Sequence, residues 1–379
     1  MAKLISVSKL EWALVDYRVR GILATLNNSF MPLVVFRVDC SAAIGMGHIM
    51  RCLGLAQALR EKGIRVLFAL SESSPAIERR LLENQINSET LNLEAGTDED
   101  LQATRKLCMR LNAKMLIVDG YCFAADWLER VHDNRWSLML WCDYVISDQL
   151  NVDVLLNQNP HAVSLGYGRV APNAELLLGL EYVVLRSEFF QAKGLRRERQ
   201  QLKELLLTFG GSDPNNTTLK VLESLEGAGF SGCVHIVIGP LNRFLDTIQP
   251  ALNRNPNWRV YKDVKDMAPL ISRSDLAISA AGTTLWEFAY SGLPTIAIAL
   301  AENQRPLGQA LAEARAGIYI GITESYSGDR LVREFFKLRE QPASLRSYSQ
   351  NMSALVDGLG RNRVVDVILT QIQKKAACD

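Results

Sequence analysis

From Leu33 onward, short β-branched apolar runs alternate with longer stretches whose apolar residues recur at helical spacing. LVVFRV (33–38), RVLFAL (65–70), KMLIVD (114–119) and SLMLWC (137–142) read as strands of a first half. His48 to Lys62, with Ile49, Leu53, Ala56 and Leu59 in step, reads as a helix. The pattern restarts with ELLLTF (204–209), VHIVIG (234–239), DLAIS (275–279) and PTIAIAL (294–300). Strands that are apolar on both faces and separated by helices belong to parallel sheets covered on both sides. The expected fold is therefore α/β, with two doubly wound Rossmann-like domains facing a central cleft at the carboxyl ends of their strands, where such sheets bind ligands. The charged run LRRERQQLK (195–203) reads as a solvated surface connection, which gives a first domain over 31–200 and a second over 201–379. Residues 1–30 carry no strand-turn-helix unit. They read either as a short amphipathic helix or as an extension from a start upstream of Met31.

Composition narrows the ligand. The chain has 379 residues, 48% hydrophobic and 22% charged, with 42 basic against 41 acidic side chains. That is ample for two cores, and the balanced charge supplies no global field for nucleic acid or an anionic membrane. An anionic small molecule must then be held by a local site. The cysteines at 40, 52, 108, 122, 142, 233 and 378 form no C-x-x-C pair, so neither a disulfide framework nor a zinc ribbon is expected, and a reducing cytoplasm is the expected compartment. No run approaches the roughly 18 apolar residues of a membrane span, and the amino terminus shows no cleavable leader pattern.

Chemistry concentrates at strand ends. After the first strand comes Gly45-Met46-Gly47-His48, two glycines and then a histidine at a helix start, followed by Arg51. The glycines allow close backbone approach, and the histidine can exchange protons or merely cap the helix. His132, His161 and His235 read as structural. Gly210, Gly211 and Ser212, ahead of Asp213-Pro214, and then Gly282, Thr283 and Thr284 form two loops whose amides and following helices suit a diphosphate, although either could be an ordinary cap. Gly239 closes the strand between them. Glu287 is either a carboxylate favoured by the helix dipole or a bidentate acceptor for ribose hydroxyls. Asn303 and Gln304 follow PTIAIAL and could read sugar hydroxyls or cap the next helix; Tyr121, after Asp119-Gly120, points at the cleft or packs. No metal-ligand cluster, including any cysteine-histidine pairing, and no cofactor is expected.

Together R-x-D (37–39), G-M-G-H-I-M-R-C-L (45–53), D-G-Y (119–121), N-Q-N-P (157–160), F-G-G-S-D-P (209–214), A-G-T-T-L-W-E (281–287) and A-E-N-Q (301–304) are similar to the pseudaminic acid pathway hydrolases that act on UDP-2,4-diacetamido-2,4,6-trideoxy-β-L-altropyranose. Several pieces are shared with the GT-B glycosyltransferases that act on lipid-linked muramyl peptide. The resemblance runs from about Leu33 to beyond Gln304. It implies a GT-B-like fold, with UDP held by the second domain through Gly210, Gly211, Ser212, Gly239, Gly282, Thr283, Thr284 and Glu287. It implies a sugar site at Gly45, Gly47, Arg51, Tyr121, Asn303 and Gln304, and His48 as the base that activates water for inverting, metal-independent hydrolysis at C1. The implied partner is a UDP-sugar, with flagellin or surface glycan modification downstream. Gly120 and Ala281 depart from the His and Gly of the family pattern. A glycosyltransferase using the same UDP site and a nucleotide-sugar binding module without turnover are the alternatives.

Overall fold

The computed structural model describes residues 31–39, 47–192, 194–199 and 201–376. The expectations for residues 1–30 and for Gly45 lie outside them. Seven strands, β1 (Leu33–Val38), β2 (Arg65–Leu70), β3 (Asn87–Thr90), β4 (Met115–Asp119), β5 (Ser137–Trp141), β6 (Val154–Asn157) and β7 (Glu175–Leu178), form one sheet in the order β3-β2-β1-β4-β5-β6-β7. Six more, β8 (Glu204–Thr208), β9 (Cys233–Ile238), β10 (Trp258–Lys262), β11 (Leu276–Ala280), β12 (Thr295–Ala299) and β13 (Gly317–Ile322), form a second in the order β10-β9-β8-β11-β12-β13. Every pairing is parallel. Both sheets are doubly wound, as the alternating pattern implies.

Helices cover each sheet because the strands are apolar on both sides. Phe36 and Phe68 stack at 4.9 Å on one face of the first sheet, and Val35, Leu116 and Leu140 enter the core on the other. Each such side chain, fully withdrawn from water, contributes about 1.5–3 kcal/mol. The exception inside β1 is Arg37, fully buried and bonded through Nε to Asp100 Oδ1 at 2.8 Å. The arginine of the R-x-D pattern is therefore committed to holding the Asp98–Arg110 helix on the sheet.

Two features depart from an even division at residue 200. Val183, Leu185, Phe189 and Leu195 enter the core of the second sheet beside Leu206, Ala277 and Phe288. The Gly360–Ala376 helix returns to the first sheet, burying Val364, Val365, Ile368 and Ile372 with Phe36, Leu53 and Trp141. The chain thus crosses between the units twice. The charged run over 195–203 is exposed at Arg196, Glu198, Gln201 and Lys203, as a surface connection should be, but two of its arginines are anchored in the fold. Arg199 is fully buried, and its guanidinium donates to the carbonyls of Ile271 at 3.2 Å and Ser291, at the carboxyl ends of two helices. Arg197 donates from Nε to Ser272 O at 2.7 Å and from Nη2 to Asp275 Oδ1 at 3.0 Å. Unpaired helix-end carbonyls attract these cations, so within a run that reads as surface Arg199 is a buried clamp.

Side chains also join the units across the cleft. Arg80 donates to Asp263 Oδ1 at 2.9 Å and to the Lys265 carbonyl at 3.2 Å. Arg186, on the segment packed into the second unit, donates to the same carbonyl at 3.2 Å and to Glu287 Oε1 at 3.1 Å, and so holds that unit's side of the contact.

Candidate active site

In an open doubly wound sheet the ligand crevice forms where the winding reverses. Here that reversal falls between β1 and β4 in one sheet and between β8 and β11 in the other. The loop after β1 leads into the Gly47–Glu61 helix, and β4 ends at Asp119, so topology alone brings His48 and Asp119 together. His48 Nδ1 lies 2.8 Å from Asp119 Oδ1, with the imidazole side chain 8% exposed. Nδ1 faces the carboxylate at contact distance without an aligned hydrogen bond, which leaves Nε2 as the nitrogen for a ligand in the cleft that His48 lines. Asp119 also accepts from Arg51, through Nε at 2.7 Å and through Nη2, and from Cys52 Sγ at 3.2 Å. Burial by itself would push the Asp119 carboxyl up, but the Arg51 guanidinium and the His48 ring overcome it and hold it well below the ordinary carboxylate range. The arrangement is a fixed anion behind an imidazole, the geometry that orients a general base and stabilises its protonated form.

Arg51 lines the cleft, yet its donors are committed. Nη1 reaches Asp143 Oδ2 at 3.0 Å, and the guanidinium lies 5.3 Å over the Trp141 ring. Its structural work is thus to hold Asp119 and Asp143. Tyr121 is 41% exposed rather than packed away. Its ring meets His48 edge-on at 5.0 Å, and its hydroxyl accepts from Asn303 Nδ2 at 3.2 Å across the cleft. Burial pushes the Tyr121 phenol up to about 12, which keeps it protonated and able to donate. Where the resemblance leads one to expect a histidine, at position 120, a Cβ on Gly120 would stand 2.7 Å from Asp39 Cβ and 2.8 Å from Phe123. The tight packing accounts for glycine.

The opposite wall is backbone. Gly210 has φ +74°, the left-handed region that favours glycine, and a Cβ on Gly239 would lie 2.3 Å from the Gly210 carbonyl. Gly239 is what allows the β8 and β9 loops to close on each other. Asp213 carries the capping role left open by the sequence, accepting from Thr217 N at 2.8 Å and Thr218 N at 2.9 Å. Gly210, Gly211 and Ser212 are left facing the cleft. Gly282 and Thr283 open the Thr284–Ser291 helix, where no side chain caps the amino end, and Glu287 follows within its first turn. Burial pushes the Glu287 carboxyl up, while Arg186 pulls it back. Gln304 accepts from Leu300 N at 2.9 Å through Oε1, fixing the turn after β12.

All the described candidates, Gly47, His48, Arg51, Tyr121, Gly210, Gly211, Ser212, Gly239, Gly282, Thr283, Thr284, Glu287, Asn303 and Gln304, line one cleft of about 600 Å³. That volume suits a medium-sized ligand. The structure adds Asp119 behind His48, and Asp143, Asn159 and Arg186 in the cleft wall. Asp119 and Asn159 each stand at or beside a strand end within a quoted motif, a signal that a strand-end search would have caught. Asp143 also stands beside a strand end, two residues past β5, but in no quoted motif, and Arg186 carried neither mark.

Comparison with known proteins agrees with this architecture. Residues 205–360 match the family model for the glycosyltransferase family 28 C-terminal domain. An uncharacterised protein of Methanocaldococcus jannaschii is 26% identical over 70% of this chain, which spans only 55% of that relative. The UDP-2,4-diacetamido-2,4,6-trideoxy-beta-L-altropyranose hydrolase of Campylobacter jejuni is 25% identical over 74% of this chain and 96% of its own length. The crystal structure of MurG from Acinetobacter baumannii superposes with a TM-score of 0.63 at 15% identity, covering 89% of this chain and 100% of that one. Two doubly wound parallel sheets that place their switch points on a shared cleft, together with this likeness, give the chain the GT-B glycosyltransferase fold.

Proposed function

We propose that the protein is a nucleotide-sugar hydrolase that cleaves UDP-2,4-diacetamido-2,4,6-trideoxy-β-L-altropyranose or a stereoisomeric UDP-diacetamido sugar at the C1–O bond, with inversion. The observation that carries the reading is the His48–Asp119 pair, seated at one switch point and facing the amide-lined loops of the other across the cleft. In the reaction a water attacks C1 from the face opposite UDP and gives its proton to His48 Nε2, while the C1–O electron pair leaves with UDP. Asp119 stabilises the resulting imidazolium, and Arg51 keeps Asp119 ionised and in place. Gly210, Gly211, Gly282 and Thr283 supply amides where negative charge grows on the departing diphosphate, which lowers the barrier because it favours the transition state over the bound substrate. Glu287 takes the ribose hydroxyls, and Tyr121, Asn303 and Gln304 meet the sugar. The curated C. jejuni hydrolase, nearly all of whose length this chain covers, supports the substrate class.

The second reading, a glycosyltransferase with an acceptor in place of water, is favoured by the family 28 match over 205–360. Incubation with the UDP-diacetamido sugar separates the two. Stoichiometric release of UDP and free sugar without acceptor supports hydrolysis; release that waits for an added acceptor supports transfer.

A further inference from the structure

We propose that Glu204, Cys233 and His235 form a binding site for a divalent cation of the Zn2+ class, at the end of the second sheet remote from the cleft. Glu204 opens β8 and pairs in register with Cys233, which opens β9, while the far end of β8, Thr208, lines the cleft. Cys233 and His235 are two residues apart on one strand, so the pleat turns both side chains to the same face. The expectation of no cysteine-histidine pairing is corrected here, because the pair is made by strand periodicity rather than by a helical or ribbon spacing.

The donor geometry fits. His235 Nε2 lies 2.8 Å from Glu204 Oε2 and 3.7 Å from Cys233 Sγ, and the three donor atoms lie within 4.8 Å of one another. Tetrahedral Zn2+ with its usual Zn–N, Zn–O and Zn–S lengths needs donor separations of about 3.4–3.6 Å, so a small opening of the histidine–glutamate contact admits the ion. Nitrogen, carboxylate oxygen and thiolate sulfur make the mixed, borderline-soft set that selects Zn2+ over Mg2+ or Ca2+. His235 is 1% exposed, and its other nitrogen, Nδ1, stands 3.2 Å from the Tyr261 hydroxyl. That partner fixes the ring orientation in the manner of the outer-shell groups that support metal-bound histidines.

The three residues face a cavity of about 460 Å³, which leaves room for water as a fourth ligand. Arg259 and Arg273 line the same cavity. Binding through Cys233 releases the thiol proton, as thiolate ligation of a metal requires. The arginines oppose a bare cation, but thiolate and carboxylate together bring two negative charges into direct contact with it.

Equilibrium dialysis of the full chain against Zn2+, and a Co2+ titration followed by absorption, test the proposal. The expected result is one ion per chain, with Co2+ giving tetrahedral d–d bands and a near-ultraviolet thiolate charge-transfer band. Cys233→Ser should abolish that band and weaken Zn2+ binding at least tenfold. Glu204→Gln, at a side chain 40% exposed where an interior strand begins, should keep the melting temperature and also weaken Zn2+ at least tenfold. Undiminished Zn2+ affinity in either folded variant, or bound Co2+ without a thiolate band, overturns the assignment.

Discussion

Replacing Asp119 by Asn removes the charge behind His48 while keeping the shape of the side chain, and the structure fixes both consequences. Asp119 is fully buried and shares its oxygens among Arg51, His48 and Cys52. Breaking a buried pair costs about 3–5 kcal/mol because a charge is left behind. Arg51 keeps its contact to Asp143 at 3.0 Å, which places the cost near the lower end, about 3 kcal/mol. For a unit of this size that lowers the melting temperature by about 6–12 °C. The pH dependence follows from the depressed carboxyl. Its stabilisation is complete above the ordinary unfolded aspartate value of about 3.9 and is lost as the pH falls through the lower folded value, so the variant's stability should vary less steeply below about pH 4 than the parent's. Turnover should fall on the order of 10²- to 10⁴-fold, since the imidazole loses both its orientation and the anion that stabilises its protonated form. The assay is steady-state UDP release well below the lowered melting temperature, with UDP affinity measured on the same preparation. A folded Asp119→Asn protein with kcat within a few-fold of the parent refutes the assignment of Asp119.

Three further outcomes are expected. Glu287→Gln should weaken UDP by about 10- to 150-fold, the equivalent of about 1.5–3 kcal/mol for hydrogen bonds to a charged group, as read by calorimetry; an unchanged Kd returns Glu287 to its contact with Arg186 alone. Gly239→Ala brings a methyl to 2.3 Å from the Gly210 carbonyl and should destabilise by about 1–3 kcal/mol while loosening UDP; full UDP affinity would mean the two loops do not form the diphosphate site. Tyr121→Phe deletes one exposed hydrogen bond to Asn303, so melting should stay put while the sugar-nucleotide KM rises about two- to tenfold; an altered melting temperature with unaltered KM marks the tyrosine as a strut between the domains.

What the sequence disclosed depended on whether the signal was local. β1, β4 and β11 are buried along their whole length and β8 everywhere but Glu204, so they read as near-continuous apolar runs. β3, NSET, is a half-exposed edge strand with no apolar run, and β13, GIYIGI, is broken by glycines, so neither carried the expected pattern. The glycine loops were legible because each lies directly after a strand. The partnership of His48 with Asp119 was not, since it arises from the adjacency of β1 and β4, strands separated by two others in the chain. Arg199 misled for the opposite reason: composition registers a charge, and only the fold shows the helix ends that it caps. Cys233 and His235 escaped because their chemistry is completed by Glu204 on a neighbouring strand.

The most direct test of the account is turnover by His48→Asn, with UDP release from the UDP-diacetamido sugar measured in the absence of any acceptor. An imidazole that takes the proton of the attacking water predicts kcat lowered by about two orders of magnitude or more, with UDP affinity and melting temperature close to the parent's. A variant that melts early but turns over at a near-normal rate per folded molecule would contradict the central claim and make His48 a packing residue.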